Sequence, residues 1–108
     1  FFVALMETCK AAGIPVWDDE VQSFGRTESM FAFERLDLGE YIDVVTIGKG
    51  FGNGFPVTCV AVREPYKESF EAVSASSSYG GNPMACAAAL ASTEVIEEEQ
   101  LLEHARER

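Results

Sequence analysis

The stretch "DVVTIGKGFGNGFP", Asp43 to Pro56, joins an apolar run to a glycine-rich loop and carries one lysine, Lys49, at the junction. The apolar residues are mostly β-branched, so the segment Tyr41 to Gly48 predicts a strand that is buried on both faces. Lys49 follows this strand at its C-terminal end, where open α/β sheets place their ligand sites. Because Gly48 and Gly50 carry no side chains, a flat or bulky partner can approach the amine closely. The stretch therefore predicts either a solvated charge on a flexible loop or a reactive amine presented to a ligand.

Helical and strand-like segments surround this stretch in an order typical of α/β proteins. Apolar residues at helical spacing predict a helix near Phe2 to Ala12, and a buried strand that ends in carboxylates follows at Ile14 to Glu20. A third strand is predicted at Val57 to Val62, again apolar on both faces, so all three strands are expected in the interior of a sheet. Asn82 is a good N-cap and Pro83 a good first residue for a long alanine-rich helix that reaches the C-terminus. The fold class is therefore α/β.

Composition and charge narrow the classes of partner. The chain has 108 residues with 18 acidic and 8 basic side chains and a net charge of −10, which opposes broad contact with nucleic acid or anionic membranes. The cysteines Cys9, Cys59 and Cys86 lie far apart without a CxxC spacing, so neither a zinc site nor a disulfide framework is predicted. No apolar run has the length of a membrane span, and the N-terminus lacks a signal-peptide pattern. We expect an intracellular, cytoplasmic protein.

Nucleotide-binding loops do not explain Lys49. A phosphate-binding P-loop requires glycine and serine or threonine at positions that Asp43 and Gly50 occupy here. The glycines of "GKGFGNG" alternate, which is not the GxGxxG pattern, and no helix-forming segment is predicted directly after them. A covalent use remains, in which a desolvated lysine amine forms a Schiff base with a carbonyl group.

The acidic segment "WDDEVQ", Trp17 to Gln22, offers a partner for such a site. Asp19 lies at the end of the first predicted strand, so the sheet can bring it to the same edge as Lys49. A carboxylate buried there needs a cation, which the protonated ring nitrogen of pyridoxal phosphate would supply. Magnesium held by Asp18, Asp19 and Glu20 is the competing account, and otherwise Asp18 and Glu20 are interpreted as parts of a solvated turn.

The segment "SASSSYGGNP", Ser74 to Pro83, precedes the alanine-rich helix. Its composition is typical of a flexible loop. Hydroxyls and amides beside a helix N-terminus also form phosphate sites without net positive charge. The segment is thus either a plain loop or part of a phosphate site.

Several blocks of the chain, in the same order and at nearly the same spacing, resemble the class III pyridoxal-phosphate-dependent aminotransferases. The resemblance extends from about Ile14 to Ile96 and rests on the blocks "DEVQ", "FGRT", "MFAFE", "DVVTIGKG", "GFP" and "YGGNPMACAAALA". It implies the large domain of fold type I, a three-layer α/β/α architecture that works as a homodimer with pyridoxal 5'-phosphate. Residues 1–108 would form the central part of that domain as a fragment.

The resemblance also implies roles for individual residues. Lys49 matches the lysine that forms the Schiff base with the cofactor, and Asp19 matches the aspartate paired with the pyridine nitrogen. Val21 is expected to pack against the ring and Gln22 to lie near the ring hydroxyl. Ser78 stands where the family usually has a threonine whose hydroxyl reaches the cofactor phosphate of the partner subunit. The site has no metal.

Two departures from the family pattern affect these expectations. Ser23 joins Phe24 directly, where the family commonly has an intervening glycine, so the loop is one residue shorter. Ser78 keeps the hydroxyl of the usual threonine but lacks its methyl group. In addition, the phosphate-gripping loop, the aromatic residue stacked on the cofactor and an arginine for the substrate carboxylate would come from chain before Phe1 or after Arg108.

The expected activity is transamination. An amine or ω-amino acid of the ornithine, acetylornithine or 4-aminobutyrate kind would donate its amino group to a 2-oxo acid, with Lys49 as general base and acid. Aminomutases and decarboxylases of the same family are alternatives, as are a non-catalytic remnant that binds a partner and a magnesium-dependent phosphotransfer enzyme. The isolated fragment is expected to be inactive.

Overall fold

The computed structural model describes residues 1–69 and 77–108 and contains both helices and a sheet. The α-helices and β-strands are numbered α1, β1, β2, β3, α2 and α3 in chain order. The helices are α1 (Phe2–Ala11), α2 (Pro83–Glu98) and α3 (Leu101–Arg106), and the strands are β1 (Trp17–Asp19), β2 (Val44–Ile47) and β3 (Cys59–Val62). Short 3-10 helices lie at Ala32–Leu36, Gly39–Tyr41, Lys49–Gly52 and Glu64–Tyr66. The helix and the strands that the sequence predicts in its first 62 residues are all present.

The strands form one 3-stranded sheet in the order β1-β2-β3. β1 and β2 run parallel, whereas β3 pairs antiparallel with β2, with Ile47 opposite Cys59. The connection from Gly48 to Thr58 is too short for the crossover that a parallel strand requires, which explains the change of direction. Within the described residues β1 and β3 are edge strands, and Trp17 and Val60 are exposed. That all three strands lie in the interior of a larger sheet stays a prediction for the whole domain.

The C-terminal helix begins as predicted but ends earlier. The Asn82 side chain accepts a hydrogen bond from the Ala85 backbone N–H at 2.9 Å, and Pro83 is the first helical residue. Gln100 then adopts a left-handed conformation with φ of 53°, which separates α2 from α3. The acidic run Glu97 to Glu99 lies at the negative end of the helix dipole, where carboxylates disfavour a continued helix. The single long helix predicted from the sequence is therefore two helices.

Phe24, Ile47 and Ile96 form the buried cluster behind the sheet edge. The Phe24 ring meets the rings of Phe31 and Phe51 edge to face, at centroid distances of 5.4 and 5.5 Å. Aromatic pairs of this geometry contribute about 0.5–1.5 kcal/mol beyond the area that they bury. The cluster thereby joins the turn after β1, the end of β2, the loop after β2 and helix α2.

Replacement of Gly25 by alanine is expected to destabilise the protein more than replacement of Gly13. Both glycines are left-handed, with φ of +65° and +66°, but a Cβ at Gly25 would lie 2.8 Å from Ile96 Cδ1, whereas nothing lies within 4 Å at Gly13. Relief of this contact requires the end of the buried Ile96 side chain to shift within the core, so Gly25→Ala should lose about 1–2 kcal/mol more unfolding free energy than Gly13→Ala. Denaturant titrations of both variants measure this difference. Equal losses would show that the contact with Ile96 does not constrain the turn.

Candidate active site

The ends of β1 and β2 meet at one edge of the sheet. In the parallel register Asp19 is paired with Thr46. Strand β2 ends one residue later, at Ile47, and Lys49 follows after Gly48. Asp19 and Lys49 therefore lie at the same edge, as the sequence predicts, although they are distant in the chain.

The loop that carries Lys49 is held by backbone and side-chain contacts. The Phe51 N–H donates to the Gly48 carbonyl at 2.9 Å, and the Ser92 hydroxyl donates to the Gly50 carbonyl at 3.0 Å. The Phe51 ring packs against Phe24 in the core. A short 3-10 helix, Lys49–Gly52, begins one residue after β2, where the sequence predicts a glycine-rich loop. The alternative of a flexible loop is not supported by these contacts.

Lys49 itself has an unusual backbone. Its φ is 45°, a left-handed conformation that costs an ordinary residue about 1–2 kcal/mol. Such conformations concentrate at functional sites, where the surroundings hold them in place. The side chain is exposed, so the described residues do not provide the desolvation that the sequence leads us to expect.

Asp19 has one occupied and one open carboxylate oxygen. Its Oδ1 accepts hydrogen bonds from the Val21 backbone N–H at 3.1 Å and from the Thr46 hydroxyl at 3.2 Å. Within residues 1–69 and 77–108, Oδ2 has no hydrogen-bond partner, and the residue is exposed. The open oxygen can accept a hydrogen bond from a cationic ligand at the sheet edge.

Val21 lies beside the peptide that leads to Lys49. A Cβ built on Gly48 would lie 3.7 Å from both Val21 methyl carbons and 3.2 Å from the Thr58 methyl carbon, so a larger residue here would crowd the site. A cleft of about 510 Å³ opens on this side of the sheet. Its lining residues include Trp17, Asp19, Val21, Thr46, Thr58 and Cys59.

Gln22 and Ser78 are not among the residues that line this cleft. Gln22 is exposed in the turn after β1. Ser78 is exposed in the turn before α2, and no hydrogen bond joins it to Asp19, Gln22 or Lys49 in the described part of the chain. Ser74 to Ser76 of the predicted phosphate loop lie outside the described residues. The structure thus brings Asp19 and Val21 together at the cleft and leaves Lys49 at the same edge of the sheet, whereas Lys49, Gln22 and Ser78 are not among the residues that line the cleft.

Glu20 is a buried residue that the sequence interpretation missed. Its side chain is 1% exposed and accepts hydrogen bonds from the Phe33 backbone N–H at 3.2 Å and from the Ser23 hydroxyl. The backbone N–H groups of Ser23 and Phe24 also donate to the Glu20 carbonyl, which closes the turn after β1. The interpretation of Glu20 as part of a solvated turn is therefore wrong. Strand alternation could have shown it, since Asp18 and Glu20 face away from Asp19.

The acidic residues do not converge as a magnesium site would require. Asp19 is bonded to Thr46 on one face of β1, whereas both Glu20 oxygens are occupied on the other. No group of three or more metal-binding side chains occurs in the described residues. Asp18 is half-buried beside Glu20, and burial, followed by the nearby Glu20 charge, raises the pKa of Asp18 to about 6.

Among residues 1–69 and 77–108, no helix has both the length and the apolar character that a membrane crossing requires.

Known proteins are similar to this chain in both sequence and fold. The model of the aminotransferase class-III family matches residues 1–108. The chain belongs to the class III aminotransferases. It is 42% identical over its whole length to an acetylornithine aminotransferase of Methanopyrus kandleri, of which it covers 28%. It is also 44% identical, over 82% of its length, to ethanolamine-phosphate phospho-lyase homolog 1 of Caenorhabditis elegans, of which it covers 20%.

The solved structures confirm the predicted fold type. A taurine:2-oxoglutarate aminotransferase from Bifidobacterium kashiwanohense, in complex with PLP and glutamate, matches 95% of this class III chain with a TM-score of 0.84 and 29% identity. The match covers 24% of that chain. This chain is thus a partial α/β unit of the fold type I large domain and spans 20–28% of the length of the three proteins.

The stability of the protein is expected to fall as the pH rises from about 4 to about 6, because of Asp18. The folded-state pKa of about 6 lies above the usual 3.8, so the folded state binds the proton more tightly than the unfolded chain does. The stabilisation is complete below the unfolded pKa and is lost as the pH rises through the folded pKa. Asp18→Asn, which mimics the protonated form, should reduce this loss and be more stable than the wild type at pH 7.

Unfolding free energies at pH 4 and pH 7 test this expectation. Glu7→Gln, which removes an exposed carboxylate on α1, is the control and should keep the wild-type pH dependence. An Asp18→Asn protein with the same pH dependence as the wild type would contradict the assignment.

Proposed function

We propose that this chain is the central part of the large domain of a pyridoxal-phosphate-dependent transaminase. The enzyme transfers an amino group from an amine or ω-amino acid, of the ornithine, acetylornithine or 4-aminobutyrate kind, to a 2-oxo acid. The observation that carries the proposal is the parallel register of β1 and β2, which puts an open Asp19 oxygen and Lys49 at one sheet edge. The similarity to an acetylornithine aminotransferase supports the donor class.

The residues at the edge fit pyridoxal phosphate. Asp19 Oδ2 is an unpartnered acceptor within the described residues and would hold the proton of the ring nitrogen. Val21 would pack against the ring, and Gln22 would bond near the ring hydroxyl. The missing side chain at Gly48 leaves space beside Val21. When bound, the cofactor supplies an electron-poor ring that stabilises negative charge on the reacting carbon of the substrate.

Lys49 has two roles in this proposal. Its Nζ would hold the cofactor covalently, and as a free amine it would act as the base and acid that move the substrate proton. The left-handed backbone and the contacts of Phe51 and Ser92 hold the lysine at the edge. Because the side chain is exposed in this chain, its desolvation must come from the cofactor, from further chain or from a second subunit.

In our proposal, a second subunit and further chain complete the cofactor site. Ser78 would reach the cofactor phosphate of the partner subunit in a homodimer, consistent with its absence from the residues that line the cleft beside Asp19. The phosphate loop, the stacking aromatic residue and the arginine for the substrate carboxylate would be supplied by further chain. The isolated chain is therefore inactive, and the complete enzyme acts in the cytoplasm on small molecules.

A second reaction type has a specific observation in its favour. The identity of 44% to the phospho-lyase homolog shows that a similar sequence occurs in a protein named for a different chemistry. Asp19 and Lys49 serve a lyase, aminomutase or decarboxylase equally well, since each needs the same electron-poor ring. Amino transfer that depends on an added 2-oxo acid distinguishes transamination from these reactions.

Reduction of the complete enzyme with borohydride should attach the cofactor covalently to Lys49 alone. Lys49 is the lysine at the sheet edge, whereas Lys10 pairs with Glu40 and Lys67 pairs with Glu64 on the surface. Peptide mapping by mass spectrometry should find the phosphopyridoxyl mass on the peptide that contains Lys49.

The matched controls are Lys49→Ala and Lys10→Ala. Lys49→Ala should abolish the label, and Lys10→Ala should leave it unchanged. A label on Lys10 or Lys67 in the wild type would disprove the assignment, and the 108-residue chain alone should not retain the cofactor stoichiometrically.

Asp19→Asn should keep the covalently bound cofactor but lose most of the turnover. An amide does not stabilise a protonated ring nitrogen, and the loss of such an interaction typically lowers kcat by about a thousandfold or more. Steady-state kinetics of Asp19→Asn and Asp18→Asn measure the difference, since Asp18 faces the other side of β1. A larger loss for Asp18→Asn would show that the wrong carboxylate was chosen.

A further inference from the structure

We infer that Thr46 is a positioning residue that orients the Asp19 carboxylate, and that Trp17 orients the Thr46 hydroxyl for this purpose. The inference rests on the proposed function, because it concerns how Asp19 meets the cofactor. It adds two side chains to a site whose proposed members are Lys49, Asp19, Val21, Gln22 and Ser78.

The sheet register places the hydroxyl beside the carboxylate. Thr46 is the residue paired with Asp19 across the parallel strands, and its Oγ1 donates to Asp19 Oδ1 at 3.2 Å. The Val21 backbone N–H donates to the same oxygen at 3.1 Å. A carboxylate held through one oxygen by two donors has its rotation restricted, and its second oxygen remains available to a ligand.

Trp17 determines which way the Thr46 hydroxyl points. It lies two residues before Asp19 on the same face of β1, and its indole N–H donates to Thr46 Oγ1 at 3.4 Å. An indole nitrogen can only donate, so it occupies an acceptor position of the hydroxyl. The hydroxyl proton is then free to point at Asp19. The hydrogen bonds therefore run in one direction, from Trp17 to Thr46 to Asp19.

Trp17 lies at the candidate site and outside the described core. The Trp17 side chain is 67% exposed and lines the same cleft as Asp19 and Thr46. It is not part of the buried cluster around Phe24. A large aromatic residue that contributes little to the described core, yet donates to the residue bonded to Asp19, fits a positioning role.

The chemical consequence concerns the proton on the cofactor ring nitrogen. A carboxylate fixed in advance stabilises that proton without reorganising during the reaction. Without the hydroxyl, Asp19 keeps only the Val21 donor and turns more freely. The ring then holds its proton less firmly and withdraws electrons less strongly. Lys49 Nζ, when joined to the cofactor, is then expected to bind its own proton more tightly.

Thr46→Val in the complete enzyme tests the inference, because valine keeps the shape of threonine without the hydroxyl. A hydrogen bond to a charged group is typically large enough that kcat should fall by about tenfold or more. The pH midpoint of the visible absorbance change of the bound cofactor should shift upward. Thr46→Ser, which keeps the hydroxyl, should restore both quantities most of the way to the wild-type values.

Two further variants keep the test decisive. Thr93→Val makes the same substitution in α2, where the hydroxyl bonds to the Ala89 carbonyl of its own helix, and should change neither quantity. Trp17→Phe removes the indole donor at an exposed position and should shift both quantities in the direction of Thr46→Val, by a smaller amount. If the Thr46→Val protein does not fold, Trp17→Phe takes its place as the test.

The outcomes separate this inference from the proposed function. If the cofactor labels Lys49 but Thr46→Val behaves like Thr93→Val, the positioning role is wrong and the proposed function stands. A fall in kcat with an unchanged absorbance midpoint and no rescue by serine shows a merely structural residue and also overturns the inference. If no cofactor binds Lys49, the proposed function itself fails.

Discussion

The parallel pairing of β1 with β2 is the constraint on which the candidate site depends. The register that sets Asp19 opposite Thr46 also decides that Lys49 emerges at the edge where Asp19 ends its strand. A shift by one residue would turn Asp19 to the other face of the sheet and bring Asp18 in its place. Two hydrogen bonds depend on this register. The Thr46 hydroxyl donates to Asp19 Oδ1 at 3.2 Å, and the Glu20 N–H donates to the Thr46 carbonyl at 2.9 Å.

Two groups of contacts stabilise that edge from behind. The aromatic cluster of Phe24, Phe31 and Phe51 packs under the loop that carries Lys49, and Ser92 ties the same loop to α2. Glu20 serves the turn after β1 in a different way. Its buried carboxylate accepts hydrogen bonds from the Ser23 hydroxyl and the Phe33 N–H, so the polar group is satisfied and the turn after β1 is closed.

The carboxylates on the two faces of β1 therefore differ in their exposure to solvent and in their roles. Asp19 is exposed and has an open oxygen, which suits a ligand, whereas Asp18 and Glu20 are withdrawn from solvent and share their surroundings. The raised pKa of Asp18 follows from that shared burial.

Many apolar side chains of this partial domain are exposed, among them Phe1, Phe2, Trp17 and Met84. In the proposed larger domain, further chain or a second subunit would cover these surfaces.

The sequence by itself determined α1, the three strands, the start of α2 and the family, whereas the roles of Lys49, Asp19, Val21, Gln22 and Ser78 stay predictions. Apolar periodicity predicted α1 and the strands, Asn82 and Pro83 marked the start of α2, and the motif blocks indicated the family, because these signals are local in the chain. Only the tertiary structure decided the antiparallel direction of β3, the break at Gln100, the burial of Glu20 and the hydrogen bond between Thr46 and Asp19. Each of these depends on residues far apart in sequence or on a balance of packing and charge, which local patterns do not record.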